Sequence, residues 1–331
     1  FPAQGSGADP QGDPSELRLV FSVQRRFPGR SREFIAKDLP VFTYNEKGDL
    51  ITDYPYIQTD CYYEGFVEDV PGSVVSLSTC SGLSGLLKVE DRNYDIEPIE
   101  DSSSFQHLIF QVAADEDSPD RCGVTGDFLE NQPAEKRELP TNESRKYDPR
   151  YHTLYGHTRY LEFFLTSDKL VYKRLEENET KVLNSMLLLT SILNTMYTSL
   201  NLRIVLVGTE IWTEVDQITV THLLDHAFHF FAPWARRFLK PRIYFDHAQL
   251  LLGRHYRGTL GLATQGTVCN TDASTSIIRF SNNENVYNAA GSAHELGHAL
   301  IFGHDDEAGN VARFCRCPGC KERCIMRSKL S

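Results

Sequence analysis

From Leu17 to about Ile109 the apolar positions come in short runs, LRLVFSV, VVSLSTC, GLLKV and HLIFQV, separated by Gly, Pro, Asn and Asp. Runs of this length between turn formers predict strands, so the segment reads as β-rich. Residues 1–16 are rich in Gly, Pro and Asp without an apolar period and predict a mobile lead-in. Between Asp115 and Tyr151 the chain turns polar and carries two dibasic pairs, Lys136-Arg137 and Arg145-Lys146, as an exposed linker would. Beyond Arg159 the pattern changes in kind. LEFFLT predicts a strand, Thr180 to Leu200 a helix with Val182, Met186, Leu189, Leu193 and Met196 on one face, and LRIVLVGTEIW a second strand. Thr219 to Leu239 predicts another helix, AQLLL, TLGLA and SIIRF are strand-like, and a last helix begins near Asn288. This alternation predicts an α/β arrangement. The division expected is a lead-in over 1–16, a β-rich domain over 17–125, a linker over 126–157 and an α/β domain over 158–331.

Composition narrows the function classes. The 331 residues, 40% hydrophobic and 24% charged, suffice for two domains of ordinary size. The apolar stretch MLLLTSIL falls far short of the roughly 20 residues a membrane span needs, so no span is expected within this chain. Phe1 at the first position, with no apolar signal core behind it, predicts a processed chain or a fragment. Acidic residues outnumber basic ones 45 to 34, and 28 acidic against 15 basic fall within residues 1–150. No basic stripe suited to a phosphate backbone is present, which argues against nucleic acid as a partner. Eight cysteines, with sequons at Asn142 and Asn178, predict the secretory pathway and a location outside the cell or at its surface.

The chemistry concentrates in HELGHALIFGHD, which places His294, Glu295, His298 and His304 within eleven residues. Residues four apart lie about 40° apart around a helix and about 6 Å along it, so both imidazoles reach one ion. A zinc ion on three imidazoles keeps a fourth position for water, acidifies that water and polarises a carbonyl, while the neighbouring Glu295 takes the proton. In a continuing helix His304 would point about 240° away from His298, so the helix has to break first. The pattern H-E-x-x-H-x-x-G-x-x-H breaks it at a Gly, which takes positive φ readily. Ile301 occupies that position here, where positive φ strains a β-branched residue, and Gly303 offers a second place for the turn. Met326 is either an apolar floor under the imidazoles or core packing.

Together these strings resemble the ADAM or reprolysin branch of the metzincin zinc proteases, prodomain attached. CYYEGFVEDVPGSVVSLSTCSGLSGLL from Cys61 is similar to that family's prodomain, RYLEFFLTSD and LNLRIVLVGTEIW to its first two catalytic strands, and HELGH with CIM to its active site. The resemblance implies a β-rich prodomain followed by an α/β catalytic domain with a mixed, mostly parallel twisted sheet, long helices and an active-site helix. It assigns His294, His298 and His304 as zinc ligands, Glu295 as general base and Met326 as the Met-turn residue. Gly261-Leu262-Ala263 resembles the edge strand that pairs with an extended polypeptide substrate through main-chain hydrogen bonds. Glu162 and Asp246 match the family's calcium-site carboxylates.

Cys122, in RCGVTG, resembles the cysteine switch, and a thiolate is a strong zinc ligand; its alternative is a disulfide. Cys61 and Cys80 suit a bridge across one hairpin. By resemblance Cys317 pairs with Cys324, the usual partners of Cys269 and Cys315 lie further on, and Cys320 is extra. The resemblance covers the chain from about residue 60 to its end and stops after the Met-turn. A longer form anchored in a membrane is compatible with it.

Two other clusters carry less. His222, His226 and His229 have ligand-like spacing but no carboxylate placed like Glu295, and a solvated helix face explains them. The spacing of Cys315, Cys317, Cys320 and Cys324 suits a zinc knot, although disulfides fit an oxidising compartment better. The sequence therefore reads as a latent zinc endopeptidase acting on polypeptides, held closed by its own prodomain through Cys122. The alternative is a weak or inactive member that serves in adhesion or binding, motivated by Ile301 and the truncation.

Overall fold

The computed structural model describes residues 34–90, 92–99, 102–112, 157–256, 259–305 and 325–328, with 21–22 and 121–125 described by backbone alone. Two sheets organise these residues. The smaller has six strands in the order β1 (Phe21–Ser22), β4 (Tyr62–Val67), β5 (Val74–Ser78), β6 (Ser84–Val89), β7 (Arg92–Pro98) and β8 (His107–Gln111). All its pairs are antiparallel, and from β4 to β8 each pair joins consecutive strands, as hairpins do. Cys61 and Cys80 flank β4 and β5 and are joined by a disulfide with Cα atoms 5.2 Å apart.

The larger sheet has eight strands, ordered β3 (Leu50–Asp53), β2 (Val41–Tyr44), β11 (Leu202–Ile211), β10 (Arg159–Ser167), β12 (His247–Leu252), β14 (Thr275–Arg279), β13 (Thr259–Thr264) and β9 (Arg121–Thr125). It is mixed and mostly parallel, with β13 antiparallel to β14 and β3 to β2. Its central strand β10 is covered on both faces, with Phe163, Phe164 and Leu165 fully buried, which is why this run lacks the alternation of a half-exposed strand.

Chain order does not respect the change of pattern near residue 126. The β2–β3 hairpin, drawn from the β-rich segment, pairs with β11, and β9 pairs with β13, so residues from before position 126 extend both sides of the sheet. Both additions cover strand edges that would otherwise offer unpaired N–H and C=O groups.

Helices pack on both faces. Helix α1 (Lys169–Arg174) is short, and α2 (Glu179–Tyr197) is capped by Asn178, whose side chain accepts from Lys181 N at 3.1 Å. The α2 helix is buried far beyond the single predicted stripe because it lies between the two sheets, packed against β11 on one side and β5 on the other. Helix α3 (Leu224–Trp234) runs into a π turn at Ala235–Leu239. It starts at Leu224 rather than Thr219 because Thr221 Oγ1 accepts from Leu223 N at 3.1 Å, a local turn that competes with the helix. The last helix, α4 (Asn285–Ala299), lies beside α2 and over β13 and β14. No helix among the described residues is long and apolar enough to cross a membrane.

Candidate active site

Helix α4 meets the sheet through small residues. Ala289, Gly291, Ser292 and Ala293 are buried in it, and a Cβ added at Gly291 would reach Leu260 Cδ2 at 3.4 Å. This close seat carries His294, Glu295 and His298 fully into the interior. From α2, Tyr197 donates its hydroxyl to the Ala293 carbonyl at 2.7 Å, holding the turn that precedes His294. Glu295 lies against Gly261 of β13: a Cβ there would stand 2.5 Å from Glu295 Oε1. Gly261 thus makes room for the carboxylate.

The helix ends where His304 requires it to. Ile301 N donates to His298 O at 2.8 Å and Phe302 N to Gly297 O at 2.9 Å, the bond pair of a Schellman terminus. Ile301 occupies the left-handed position with φ 81, while Gly303 has no positive φ. The turn has therefore stayed at Ile301 rather than moving to Gly303. A β-branched residue in this conformation carries strain of order 1–3 kcal/mol, which the paired bonds offset.

With the chain so reversed, three imidazole nitrogens converge. His298 Nε2 lies 2.9 Å from His294 Nε2 and 3.0 Å from His304 Nε2, and the His294–His304 separation is 3.3 Å. His294 Nδ1 is 2.5 Å from the Ile325 carbonyl, and His298 Nδ1 is 2.8 Å from the Phe302 carbonyl. A carbonyl only accepts, so each Nδ1 carries the proton and each Nε2 turns a lone pair toward the centre. Lone pairs this close repel unless a cation is shared, and the donor set fits zinc. These three are the only group of potential ligands so arranged among the described residues.

The segment 325–328 braces the cluster. Besides Ile325 O behind His294, the Met326 carbonyl accepts from Asp305 N at 2.7 Å, one residue past His304. Met326 packs under the helix at Gly297, where an added Cβ would run into its sulfur.

Gly261, Leu262 and Ala263 lie on β13, bonded antiparallel to β14 through Ile278, Ile277 and Ser276. Leu262, Ala263 and Thr264 are also in parallel register with Gly123, Val124 and Thr125 of β9. The backbone of Cys122 thus runs beside β13, the strand against which Glu295 is lodged, at a register irregularity between Thr259 and Leu262, and its side chain lies outside the described structure.

Other predicted residues fall elsewhere. Glu162 and Asp246 are adjacent: Asp246 Oδ2 accepts from Glu162 N at 2.9 Å, and partial burial with the Asp246 charge raises the Glu162 carboxyl above its ordinary value. No third ligand joins them among the described residues. His222, His226 and His229 are exposed and do not converge. Asn178 is exposed at the start of α2. Cys269 is exposed and unbridged among the described residues, whereas Asn142, Cys315, Cys317, Cys320 and Cys324 lie outside them.

One polar network went unread in the sequence. Ser292 donates to Gln249 Oε1, Gln249 Nε2 donates to Ser276 Oγ at 2.8 Å, and His247 lies between Ser276 and Ser274 at 2.7 and 2.9 Å. All five side chains are fully buried, and burial pushes His247 down to about 3. The available signal was a His and a Gln beside the apolar run of β12, each costly to bury unless it is hydrogen-bonded.

These features bring three imidazoles that could hold a metal ion together with a carboxylate, and comparison with known proteins gives the family. Residues 159–331 match the family model described as Reprolysin (M12B) family zinc metalloprotease. The chain belongs to this family. It is 39% identical over 302 residues to human disintegrin and metalloproteinase domain-containing protein 9, an overlap of 91% of this chain and 36% of that protein. The chain therefore spans only about a third of that curated relative. Among solved structures, metalloproteinase-II from Bacteroides fragilis aligns over 88% of this chain and 79% of its own at 13% identity with a TM-score of 0.42. A chaperone–substrate complex aligns over 45% of this chain and 24% of its own at 18% identity and 0.36. Both structural likenesses are slight.

Proposed function

We propose that this chain is a latent zinc endopeptidase in which residues 17–125 act as a prodomain and residues 158–331 as the catalytic domain. The observation that carries the reading is the convergence of the His294, His298 and His304 Nε2 atoms beside Glu295. When bound there, zinc would supply Lewis acidity, polarising a peptide carbonyl and acidifying water. Glu295, one residue from a ligand and lodged against β13, is the general base that takes a proton from the attacking water and delivers it to the leaving nitrogen. The Ile325 and Phe302 carbonyls hold two ligand rings in their metal-binding tautomer, and Met326 supports the helix beneath them.

An extended polypeptide is the substrate class, because β13 offers a strand edge whose Gly261 carries no side chain toward Glu295. In the latent form residues 121–125 take that edge, and Cys122 supplies a thiolate to the metal. The linker 126–157 is the segment to be cut. The Cys61–Cys80 bridge and the Asn142 and Asn178 sequons favour the secretory route, ending outside the cell or at its surface, in a longer membrane-anchored form or free. Glu162 and Asp246 form part of a calcium site.

A second reading, a weak or inactive member that binds rather than cleaves, draws on the strained Ile301 at the base of the site. Cleavage of the linker followed by hydrolysis of a quenched-fluorescence peptide library decides between them, with zinc quantified and Glu295→Ala as control. Turnover that disappears with Glu295→Ala supports the peptidase. Stoichiometric zinc without turnover supports the binding protein.

A further inference from the structure

The helix that carries His294, Glu295 and His298 begins without a cap of its own. Glu284 occupies the N-cap position, and its side chain makes no bond to the first turn. Such a start leaves N–H groups in need of acceptors and carries partial positive charge. The acceptor comes from the other sheet. Asp95, on β7, accepts the Val286 N–H through Oδ2 at 2.9 Å across 191 residues of sequence, and Glu97 accepts from Asn285 Nδ2 at 3.1 Å. Asp95 is 1% exposed, and Leu86, opposite it on β6, is buried with Leu188, Ile192, Val286 and Ala289.

We propose that Asp95 is the N-terminal cap of helix α4, donated across the interface by the N-terminal region, and that it anchors that region to the active-site helix independently of Cys122. The departure of this region on activation rests on the proposed function; the cap does not. Asp95 is a positioning residue, and removing its strand leaves the start of α4 open while its far end still holds the metal ligands.

The interface also has a pH signature. Burial pushes Asp95 up to about 7, opposed by the Val286 N–H and helped by the Glu97 carboxylate, which is itself raised by burial and by Glu284. Strands β6 and β8 place Leu86 and Phe110 opposite Asp95 and α2 contributes Leu188 and Ile192, so Glu97 and Glu284 are the titratable neighbours. The docked state disfavours the ionised form. Docking therefore tightens as pH falls through 7 toward the ordinary aspartate range, by up to about tenfold per pH unit from this group.

Amide hydrogen exchange on the full chain reads the cap directly, whatever the peptidase activity. Asp95→Ala should speed exchange over residues 285–289 by about fivefold or more, the effect of a lost helix cap. Asp95→Asn should keep most of the protection, since its amide oxygen still accepts from Val286, and Cys122→Ala should leave it intact. After correction for intrinsic exchange, protection should rise from pH 8 to pH 6 in the wild type, and the rise should shrink in Asp95→Asn to the part that Glu97 contributes. Unchanged exchange in Asp95→Ala, or equal loss in Cys122→Ala, overturns the proposal. Should Asp95→Ala also expose the Leu87 and Ile96 amides, the Asn variant decides: a pH slope undiminished in Asp95→Asn overturns it as well.

Discussion

The two sheets differ in how they obtain a core. The eight-stranded sheet is covered on both faces, by α2 and α4 around Leu161, Phe163 and Leu165 and by α3 around Phe164, Trp212 and Phe231. The six-stranded sheet holds a small cluster of its own, Val67, Val75, Leu77, Leu87 and Ile96, while Leu108 and Ile109 at its outer strand are exposed. Leu86, a further buried apolar residue of these strands, is buried with residues of α2 and α4, with Val112 packed against the group. Small cores are marginal, so the N-terminal sheet depends on docking where the larger sheet does not. That asymmetry suits the prodomain role proposed for this region.

Substitutions can break or sharpen this contrast. The largest effect is expected from Phe163→Ala in the fully buried central strand, a loss of about 3–5 kcal/mol seen as a shift of the main urea transition. Ile96→Ala, equally buried, should cost about 2–4 kcal/mol confined to the six-stranded sheet. Amides of β5 to β7 would then exchange faster while those of β10 and β12 keep their protection; melting of both sheets together would show a single cooperative unit instead.

Gly297→Ala drives a Cβ into Met326 and should weaken zinc binding about 10–100-fold in a chelator competition, as loss of ligand support does elsewhere. Unchanged affinity would reduce Met326 to core packing. Ile301→Gly relieves the φ of 81 and should stabilise the chain by about 1 kcal/mol, read as a higher Tm. The smallest effect belongs to Gly303→Ala, within about 0.5 kcal/mol, because a Cβ there meets nothing within 4 Å and no positive φ demands glycine.

Local pattern carried much of this structure and stopped at identifiable places. The four-residue spacing of His294 and His298 already put two rings on one helix face, and the need to reverse before His304 followed from helical geometry alone. Which residue would reverse could not be read locally, because the two Schellman bonds that hold Ile301 depend on the whole helix end. Neither β2 nor β9 stood among the strand-like runs, and β9 lies inside the polar stretch, because their pairing with β11 and β13 is a long-range choice that alternation does not encode. Asp95 looked like any polar residue between apolar runs. Its role becomes visible only when Val286, 191 positions later, is folded against it.

The Cys61–Cys80 bridge acquires a further meaning from its position. Within its loop lie Glu64, which accepts from Asn194 at 2.8 Å, and Ser76, which shares a hydrogen bond with Ser191 at 3.4 Å, both of them contacts to α2. Closing a loop of this size removes unfolded-state freedom worth about 3 kcal/mol. The surface that grips α2 is therefore set by oxidation, which makes the redox potential of the compartment the first clock in the assembly of this contact between the two sheets.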